Sequence, residues 1–193
     1  MFKKILIANR GEIAVRIVRE CRDMGIWTVA LYDASDRDSL HVRLADQCVE
    51  LSSDLGYLDG PEIIKIAQQT GCEAIHPGYG FLAEQPDFVA ACEQAGVVFI
   101  GPSSAVMSVL RMKIELLERV KAAGFAPTEH SSVSFHRHEQ ELYRAEAEAL
   151  GFPLVVKACS GGRGRATRLV RDPAHLDKAV QQSAAEARVV FGD

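Results

Sequence analysis

The sequence predicts an α/β fold in which a parallel sheet is followed by a smaller α+β unit. A strand, a helix and a second strand follow one another within about 30 residues at the start, which is the length of a βαβ unit. Short apolar runs then alternate with amphipathic stretches, as in parallel sheets covered by helices. Near the C-terminus, two β-branched runs flank a glycine-rich turn and predict an antiparallel hairpin instead.

The first βαβ unit is the clearest part of this pattern. Ile5–Ala8 is a short apolar run suited to a strand buried on both faces. The turn Asn9-Arg10-Gly11-Glu12 leads into a helix that Gly25 ends, and Trp27–Tyr32 forms the second strand. The turn lacks the G-x-G-x-x-G pattern, which disfavours a Rossmann-type dinucleotide site.

The remaining elements follow the same reasoning. Further strands are predicted at Cys48–Leu51, Ala74–Ile75, Val97–Ile100, Leu154–Val156 and Leu169–Val170. Helices are predicted at His41–Ala45, from Pro61, at Asp87–Ala95, around Lys113 up to Gly124, at Glu139–Leu150 and at Ala174–Val190. The polar, histidine-containing stretch Thr128–Arg137 is interpreted as a solvated linker.

Composition excludes several classes of function. The 193 residues are 48% hydrophobic and 25% charged, as in ordinary folded proteins, and the net charge of −4 disfavours a nucleic-acid partner. Five scattered cysteines without a C-x-x-C pair suggest buried, reduced thiols and not a disulfide framework or a zinc site. No apolar run is long enough for a signal peptide or a membrane span, so we expect a cytoplasmic protein with no membrane partner.

Two polar groups of residues could hold a metal ion, and both have simpler interpretations. Three aspartates follow the second strand, and three histidines lie in or next to the linker: Asp33, Asp36 and Asp38; His130, His136 and His138. A solvated loop with a helix N-cap accounts for the aspartates, and a solvated linker accounts for the histidines. We therefore predict no metal site among them.

The glycine-rich hairpin carries most of the chemical signal. Lys157 ends its inner strand, and the turn contains Gly161, Gly162 and Gly164 together with Arg163 and Arg165. Glycines allow positive φ and close backbone approach, so their N–H groups can face phosphate oxygens while a lysine supplies charge. An ordinary glycine-rich hairpin with solvated basic residues is the alternative.

A second candidate segment, His76–Glu84, follows the strand at Ala74–Ile75. Ligands bind at the carboxyl ends of parallel strands, so this loop is well placed for a site. Tyr79 lies between two glycines and is either held out toward a ligand or packed with Phe81 on the core.

Four motifs in the correct order resemble biotin carboxylase, the ATP-grasp component of the biotin-dependent carboxylases. They are Ile-Ala-Asn-Arg-Gly-Glu-Ile-Ala at 7–14, Ala-Asp-Gln at 45–47, Ile-His-Pro-Gly-Tyr-Gly-Phe-Leu-Ala-Glu at 75–84 and Phe-Ile-Gly-Pro at 99–102. The resemblance implies a Rossmann-like (pre-ATP-grasp) N-terminal domain at 1–124 and a small α+β ATP-grasp lid at 125–193. It also implies ATP-dependent carboxylation, by bicarbonate, of biotin on a biotin carboxyl carrier protein.

The resemblance assigns roles to individual residues. Lys157 and Lys113 match lysines at the nucleotide, the loop with Gly161, Gly162, Gly164 and Arg165 matches the phosphate-covering loop, and Tyr79 matches a tyrosine beside the biotin pocket. ATP is therefore the expected nucleotide, with Mg²⁺ and biotin implied by the family. Arg16 and Arg19 match a homodimer interface, with a solvated helix face as the alternative.

Some positions depart from the family pattern. Arg163 and Ala166 stand where the family has glycine, Thr167 replaces methionine, and Leu110-Arg111-Met112 replaces Met-Gly-Asp before Lys113. Bulky and β-branched residues reduce the backbone freedom of such a loop. These substitutions leave open whether this loop binds ATP.

The resemblance also places the metal-binding glutamates, the bicarbonate-binding residues and the general base beyond Asp193. We therefore assign no catalytic and no metal-ligating residue within this chain, and expect an N-terminal fragment without turnover of its own. The alternative is a non-catalytic interaction module that pairs through Arg16 and Arg19 with a carboxylase or with a separate second half. Another ATP-grasp ligase is the third possibility, which the long N-terminal motifs disfavour.

Overall fold

The computed structural model of the chain describes residues 1–159 and 165–191. The chain divides into two compact units, Met1–Met107 and Ser108–Asp193. The domain boundary that we place at residues 124 and 125 stays a prediction.

The first unit is a five-stranded parallel sheet with helices. The strand order is β3-β2-β1-β4-β5, and every neighbouring pair is parallel. The elements are β1 (Lys4–Ile7), α1 (Gly11–Asp23), β2 (Trp27–Tyr32), α2 (Leu40–Leu44), β3 (Gln47–Glu50), α3 (Gly60–Gln69), β4 (Ala74–His76), α4 (Pro86–Gln94) and β5 (Val98–Phe99). Helix α5 (Ser104–Arg111) begins in this unit and contains the division after Met107. The parallel sheet predicted from the apolar runs is confirmed.

Both faces of this sheet are covered, which explains the uninterrupted apolar sequence of β1. Leu6 packs in one hydrophobic cluster, and Ile5 and Ile7 pack in the cluster on the other face. The first cluster includes buried residues of α3 and α4, whereas the second contains the buried side of α1. A strand with two buried faces needs apolar residues at consecutive positions, as parallel strands do generally.

The carboxyl ends of β1 and β4 lie side by side. Ile7 is in register with His76, and the Ala8 N–H donates to the His76 carbonyl oxygen at 2.9 Å. The segments that leave these two strands therefore start next to each other, although about seventy residues separate them in sequence. This edge carries the loop that begins at Pro77.

The second unit is a two-stranded antiparallel sheet packed against helices. Its elements are α6 (Lys113–Ala122), α7 (Gln140–Leu150), β6 (Leu154–Lys157), β7 (Thr167–Val170) and α8 (Leu176–Phe191). Leu154 and Val156 face a cluster that contains Tyr143 of α7 and Leu176 of α8. One face of the hairpin is thus covered, as the predicted α+β arrangement requires.

The sequence-based elements agree with these bounds within a few residues at most ends, with two exceptions. Helix α5 was not predicted, and the last helix begins at Leu176, after a 3₁₀ turn at Pro173–His175, instead of at Ala174. Across residues 1–159 and 165–191, no helix combines the length and the apolar character needed to cross a membrane.

Candidate functional site

Asn9 organises the carboxyl edge of the first sheet. Its side chain is 3% exposed, and its Nδ2 donates to the carbonyl oxygens of Pro77 at 2.7 Å and Tyr79 at 2.8 Å. Its Oδ1 accepts from the Arg10 N–H at 2.9 Å. The buried Asn9 amide thus holds two backbone carbonyl groups of the loop after β4. In a solvated loop, these carbonyl oxygens would accept hydrogen bonds from water instead.

Gly78 packs directly against the side-chain amide of Asn9. Its φ is +64°, and a Cβ added there would stand 2.7 Å from Asn9 Nδ2. Both the left-handed backbone and the close approach require glycine at this position. The Gly78 N–H donates to His76 Nδ1 at 3.0 Å, which closes the turn from its other side.

His76 is held neutral by its surroundings. Burial lowers the pKa of its imidazole, and the positive charge of Arg16 lowers it further. Because Nδ1 accepts the Gly78 N–H, the ring must keep that nitrogen unprotonated. The histidine therefore supports the loop in its neutral form.

Tyr79 is presented to solvent by this loop. Its side chain is 57% exposed, and its hydroxyl donates to the Glu12 carboxylate in the first turn of α1. That hydrogen bond lowers the pKa of Glu12. Of the two interpretations drawn from the sequence, core packing is thus wrong for Tyr79, whereas Phe81 does pack, with its ring stacked 5.2 Å from Tyr57.

A partly buried polar network that the sequence did not reveal lies next to Phe81. Arg10 donates to the Asp36 carboxylate at 2.6 Å, and the Tyr57 hydroxyl lies 3.0 Å from the Leu31 carbonyl oxygen and 3.3 Å from the same carboxylate. Burial raises the pKa of Tyr57. The interpretation of Asp36 as a solvated loop residue is wrong because these partners, 26 and 21 residues away, bury it. Asp33 does cap the 3₁₀ turn by accepting the Ser35 and Asp36 N–H groups, as predicted.

In the second unit, the structure brings together the two lysines predicted at the nucleotide. Lys113 begins α6, and its Nζ donates to the Cys159 carbonyl oxygen at 2.8 Å. Burial lowers the pKa of Lys113, and the neighbouring charge of Lys157 lowers it further. Lys157 is exposed at the end of β6, opposite Thr167. Two cations therefore flank the point where the chain enters the glycine-rich turn.

The turn itself lies mostly outside the described residues. Gly161, Gly162, Arg163 and Gly164 fall there, whereas Arg165 is exposed just before β7. Whether these residues contact a nucleotide stays a prediction.

Ala166 has an uncommon backbone. Its φ is +51°, its side chain is fully buried, and its carbonyl oxygen accepts the Ala158 N–H at 3.2 Å. This conformation favours glycine, so alanine at this position carries backbone strain.

Arg16 and Arg19 lie on the exposed side of α1. They line a groove of about 580 Å³ together with three acidic side chains of the same helix and three residues of the α2 segment: Glu12, Glu20, Asp23, Ser39, Leu40 and His41. The groove carries both cations and carboxylates, with the two arginines between Glu12 on one side and Glu20 and Asp23 on the other. A surface with both signs of charge on one helix is suited to self-complementary pairing.

No metal site was predicted, and the described residues contain no group of three or more His, Cys, Asp or Glu side chains that could hold an ion. The five cysteines are free thiols; three are buried, Cys48 is half-buried and Cys159 is exposed, so the expectation of burial is wrong for Cys159. It adjoins Lys113 through its carbonyl oxygen.

Comparison with known proteins identifies the family. The family model described as the N-terminal domain of biotin carboxylase matches residues 1–107. The chain belongs to the biotin carboxylase family. Residues 113–193 match a second model, described as the ATP-binding domain of the carbamoyl-phosphate synthase L chain. The family predicted from the four motifs is confirmed.

Curated relatives match along the whole chain. Biotin carboxylase 1 of Bacillus subtilis is 42% identical over 100% of this chain and 43% of its own length. The chloroplastic biotin carboxylase of Arabidopsis thaliana is 43% identical over 98% of this chain and 36% of its own length. This chain thus spans less than half of the relatives that it matches.

Solved structures agree with the fold. The biotin carboxylase domain dimer of Hydrogenobacter thermophilus 2-oxoglutarate carboxylase, in complex with MgADP, ADP and bicarbonate, superposes with a TM-score of 0.93 at 38% identity, covering 100% of this chain and 42% of that one. The Campylobacter jejuni biotin carboxylase complex with a β,γ-ATP ligand gives 0.91 at 36% identity, covering 100% and 44%. The predicted fold class, with an ATP-grasp hairpin after the parallel sheet, is confirmed.

Proposed function

We propose that this chain supplies the nucleotide-phosphate and acceptor contacts of a biotin carboxylase, which uses ATP and bicarbonate to carboxylate biotin on a biotin carboxyl carrier protein. The observation that carries the proposal is the placement of Lys113 and Lys157 at the entrance of the glycine-rich turn. The relatives are named biotin carboxylases, and their solved structures include complexes with ADP, magnesium and bicarbonate. We propose a cytoplasmic location from the composition.

The uncovered face of the hairpin supports nucleotide binding. Val155 and Leu169 are paired across the two strands and are 48% and 56% exposed. Since side chains two positions apart share a face of a strand, Lys157 lies on the same face as Val155. An apolar pair beside a cation fits a flat base followed by phosphates, and Gly161, Gly162, Gly164 and Arg165 are proposed to complete the phosphate contacts.

The described residues contain no group of three or more His, Cys, Asp or Glu side chains that could hold a metal ion, so we assign no Mg²⁺ ligand among them. We therefore assign no step of the reaction to a metal held by this part of the chain. The loop after β4 fits an acceptor better. Tyr79 is exposed yet fixed by hydrogen bonds, and we propose that it contacts the biotin ring system.

A second candidate function is pairing of the chain through α1. The mixed charges of the groove that contains Arg16 and Arg19 favour this role, and one relative is described as a dimer. In a twofold arrangement, arginines of one copy would face acidic residues of the other. We propose this homodimer as compatible with the first function.

Titration calorimetry with ATP·Mg tests the nucleotide contact by binding, with no need for turnover. We expect the parent chain to bind and Lys157→Ala to bind at least tenfold more weakly, because a lysine–phosphate contact contributes about 1.5–3 kcal/mol. Lys178→Ala, which removes an exposed lysine of α8, is the matched control. Equal affinities for the parent chain and Lys157→Ala, or no binding by the parent chain, would refute the proposal.

Alkylation of Cys159 gives an independent readout of the same contact. This thiol is exposed and precedes the glycine-rich turn, whereas the other cysteines are buried or half-buried. We expect ATP·Mg to slow its reaction with iodoacetamide in the parent chain and in Lys178→Ala, and to have less effect in Lys157→Ala. Unchanged rates in the parent chain would count against nucleotide at this turn.

A further inference from the structure

We infer that Glu12 is a positioning residue for Tyr79, so that the first turn of α1 sets the orientation in which the exposed phenol meets the acceptor. This inference rests on the proposed acceptor role of Tyr79. It adds a residue from a different part of the chain, 67 positions earlier, to that contact.

Tyr79 is held at both of its ends. At the backbone, Asn9 Nδ2 donates to its carbonyl oxygen at 2.8 Å. At the tip of the side chain, the phenolic O–H donates to a Glu12 carboxylate oxygen. The ring between these two points remains more than half exposed. Fixing an exposed side chain at both ends buries no further surface. A side chain that is already ordered loses less conformational entropy when a ligand binds, so this arrangement favours a binding contact.

Glu12 lies on a helix that packs against the sheet. Glu12 lies in the first turn of a 13-residue helix whose buried side packs against the sheet through Ala14, Ile17 and Val18. A carboxylate at a helix N-terminus is stabilised by the helix dipole. The position of the Tyr79 hydroxyl is therefore tied to the sheet through α1 and does not depend on the loop alone.

The direction of this hydrogen bond limits what Tyr79 presents to a ligand. An ionised carboxylate only accepts hydrogen bonds, so the tyrosine hydroxyl must be the donor. With its proton directed at Glu12, Tyr79 presents the exposed face of its ring to the acceptor. This geometry suits packing against a flat, partly apolar ring such as the fused ureido ring system of biotin.

The inference is tested in the chain labelled with ¹³C at tyrosine Cζ. The chain has four tyrosines, and the Tyr79 signal is the one lost in Tyr79→Phe. In the parent chain, we expect this signal to shift with pH as the Glu12 carboxylate protonates below its ordinary range, because the pKa of Glu12 is lowered. Glu12→Ala should remove that step, and Glu141→Ala, which removes an exposed carboxylate from the first turn of α7, should retain it.

Titration with d-biotin then separates positioning from a purely structural contact. We expect Glu12→Ala to weaken the affinity for d-biotin, measured from the response of the Tyr79 signal, by about two- to tenfold. This is the range for one side chain that must be ordered on binding. Glu12→Gln, which keeps an acceptor oxygen, should restore part of the affinity, and Glu141→Ala should match the parent chain. A pH step that persists in Glu12→Ala, or equal affinities for Glu12→Ala and the parent chain, would overturn the positioning role while the acceptor role stands. No response to d-biotin in the parent chain would overturn the acceptor role itself.

Discussion

The contact between Gly78 and Asn9 leads to the sharpest test of the site's architecture. In Gly78→Ala, the new Cβ would lie 2.7 Å from Asn9 Nδ2, 3.1 Å from its Cγ and 3.2 Å from its Cβ. Contacts with three atoms of one buried side chain cannot be relieved by rotating its amide alone. The side chain must move, and its hydrogen bonds to the Pro77 and Tyr79 carbonyls must weaken or break.

The magnitude follows from these interactions. A non-glycine residue at φ +64° costs about 1–2 kcal/mol, and two lost hydrogen bonds cost about 1 kcal/mol each. Alanine restricts the unfolded chain, which offsets about 0.4–1 kcal/mol. We therefore expect Gly78→Ala to lower the free energy of unfolding by about 2–3.5 kcal/mol.

Gly71→Ala is the matched control. Gly71 has a similar φ of +70°, but an added Cβ meets nothing within 4 Å, so only the backbone strain applies. Its expected loss is about 1 kcal/mol or less. The difference of about 2 kcal/mol between the two variants then measures the Asn9 contact.

Urea unfolding followed by the fluorescence of Trp27 is a suitable assay. Trp27 is the single tryptophan and lies in β2, so its signal reports the unfolding of the first unit. Equal losses of stability in the two glycine variants would show that Asn9 does not hold the loop through its hydrogen bonds to the Pro77 and Tyr79 carbonyls.

The remaining predictions concern pH and pairing. The pKa of His76 is lower in the folded state than in the unfolded state, so the unfolded state binds a proton first as the pH falls. The stabilisation that neutral His76 provides is therefore present above pH 6.5 and is lost as the pH falls toward the folded pKa. His76→Asn keeps an acceptor for the Gly78 N–H without titrating, and denaturation at several pH values should show a smaller loss on acidification for this variant; parallel curves would contradict the assignment. For the α1 groove, we expect sedimentation velocity to show a dimer for the parent chain and a monomer for the double variant Arg16→Glu, Arg19→Glu. A parent chain that remains monomeric at all accessible concentrations would exclude the proposed pairing.

The parallel sheet was predictable because its determinants are local. Strands buried on both faces require runs of apolar residues, and Ile5–Ala8 and Trp27–Tyr32 show such runs without reference to any partner. Helix α5 lacked comparable signals: its residues Ser104–Arg111 follow a Gly-Pro turn and bury only Met107. Its eight residues are fewer than the roughly 11–18 over which helical periodicity is normally detected.

The candidate site was less predictable because its determinants are distant in sequence. The exposure of Tyr79 depends on Asn9 and Glu12, which lie 70 and 67 residues earlier. The burial of Asp36 likewise depends on Arg10 and on Tyr57. A local pattern of polar residues cannot distinguish a carboxylate with such partners from one in water. Only the fold brings these partners together.

The turn after β1 shows how one short motif replaces the glycine pattern of a dinucleotide site. Asn9 binds the carbonyls of the neighbouring loop, and Arg10 binds a buried carboxylate after the second strand. Gly11, at φ +61°, starts the helix, and Glu12 binds the Tyr79 hydroxyl. The side chains of Asn9, Arg10 and Glu12 are thus all bonded to protein partners, so this turn supports another loop. This arrangement favours our proposal that the nucleotide binds at the hairpin of the second unit and the acceptor at the loop that this turn supports.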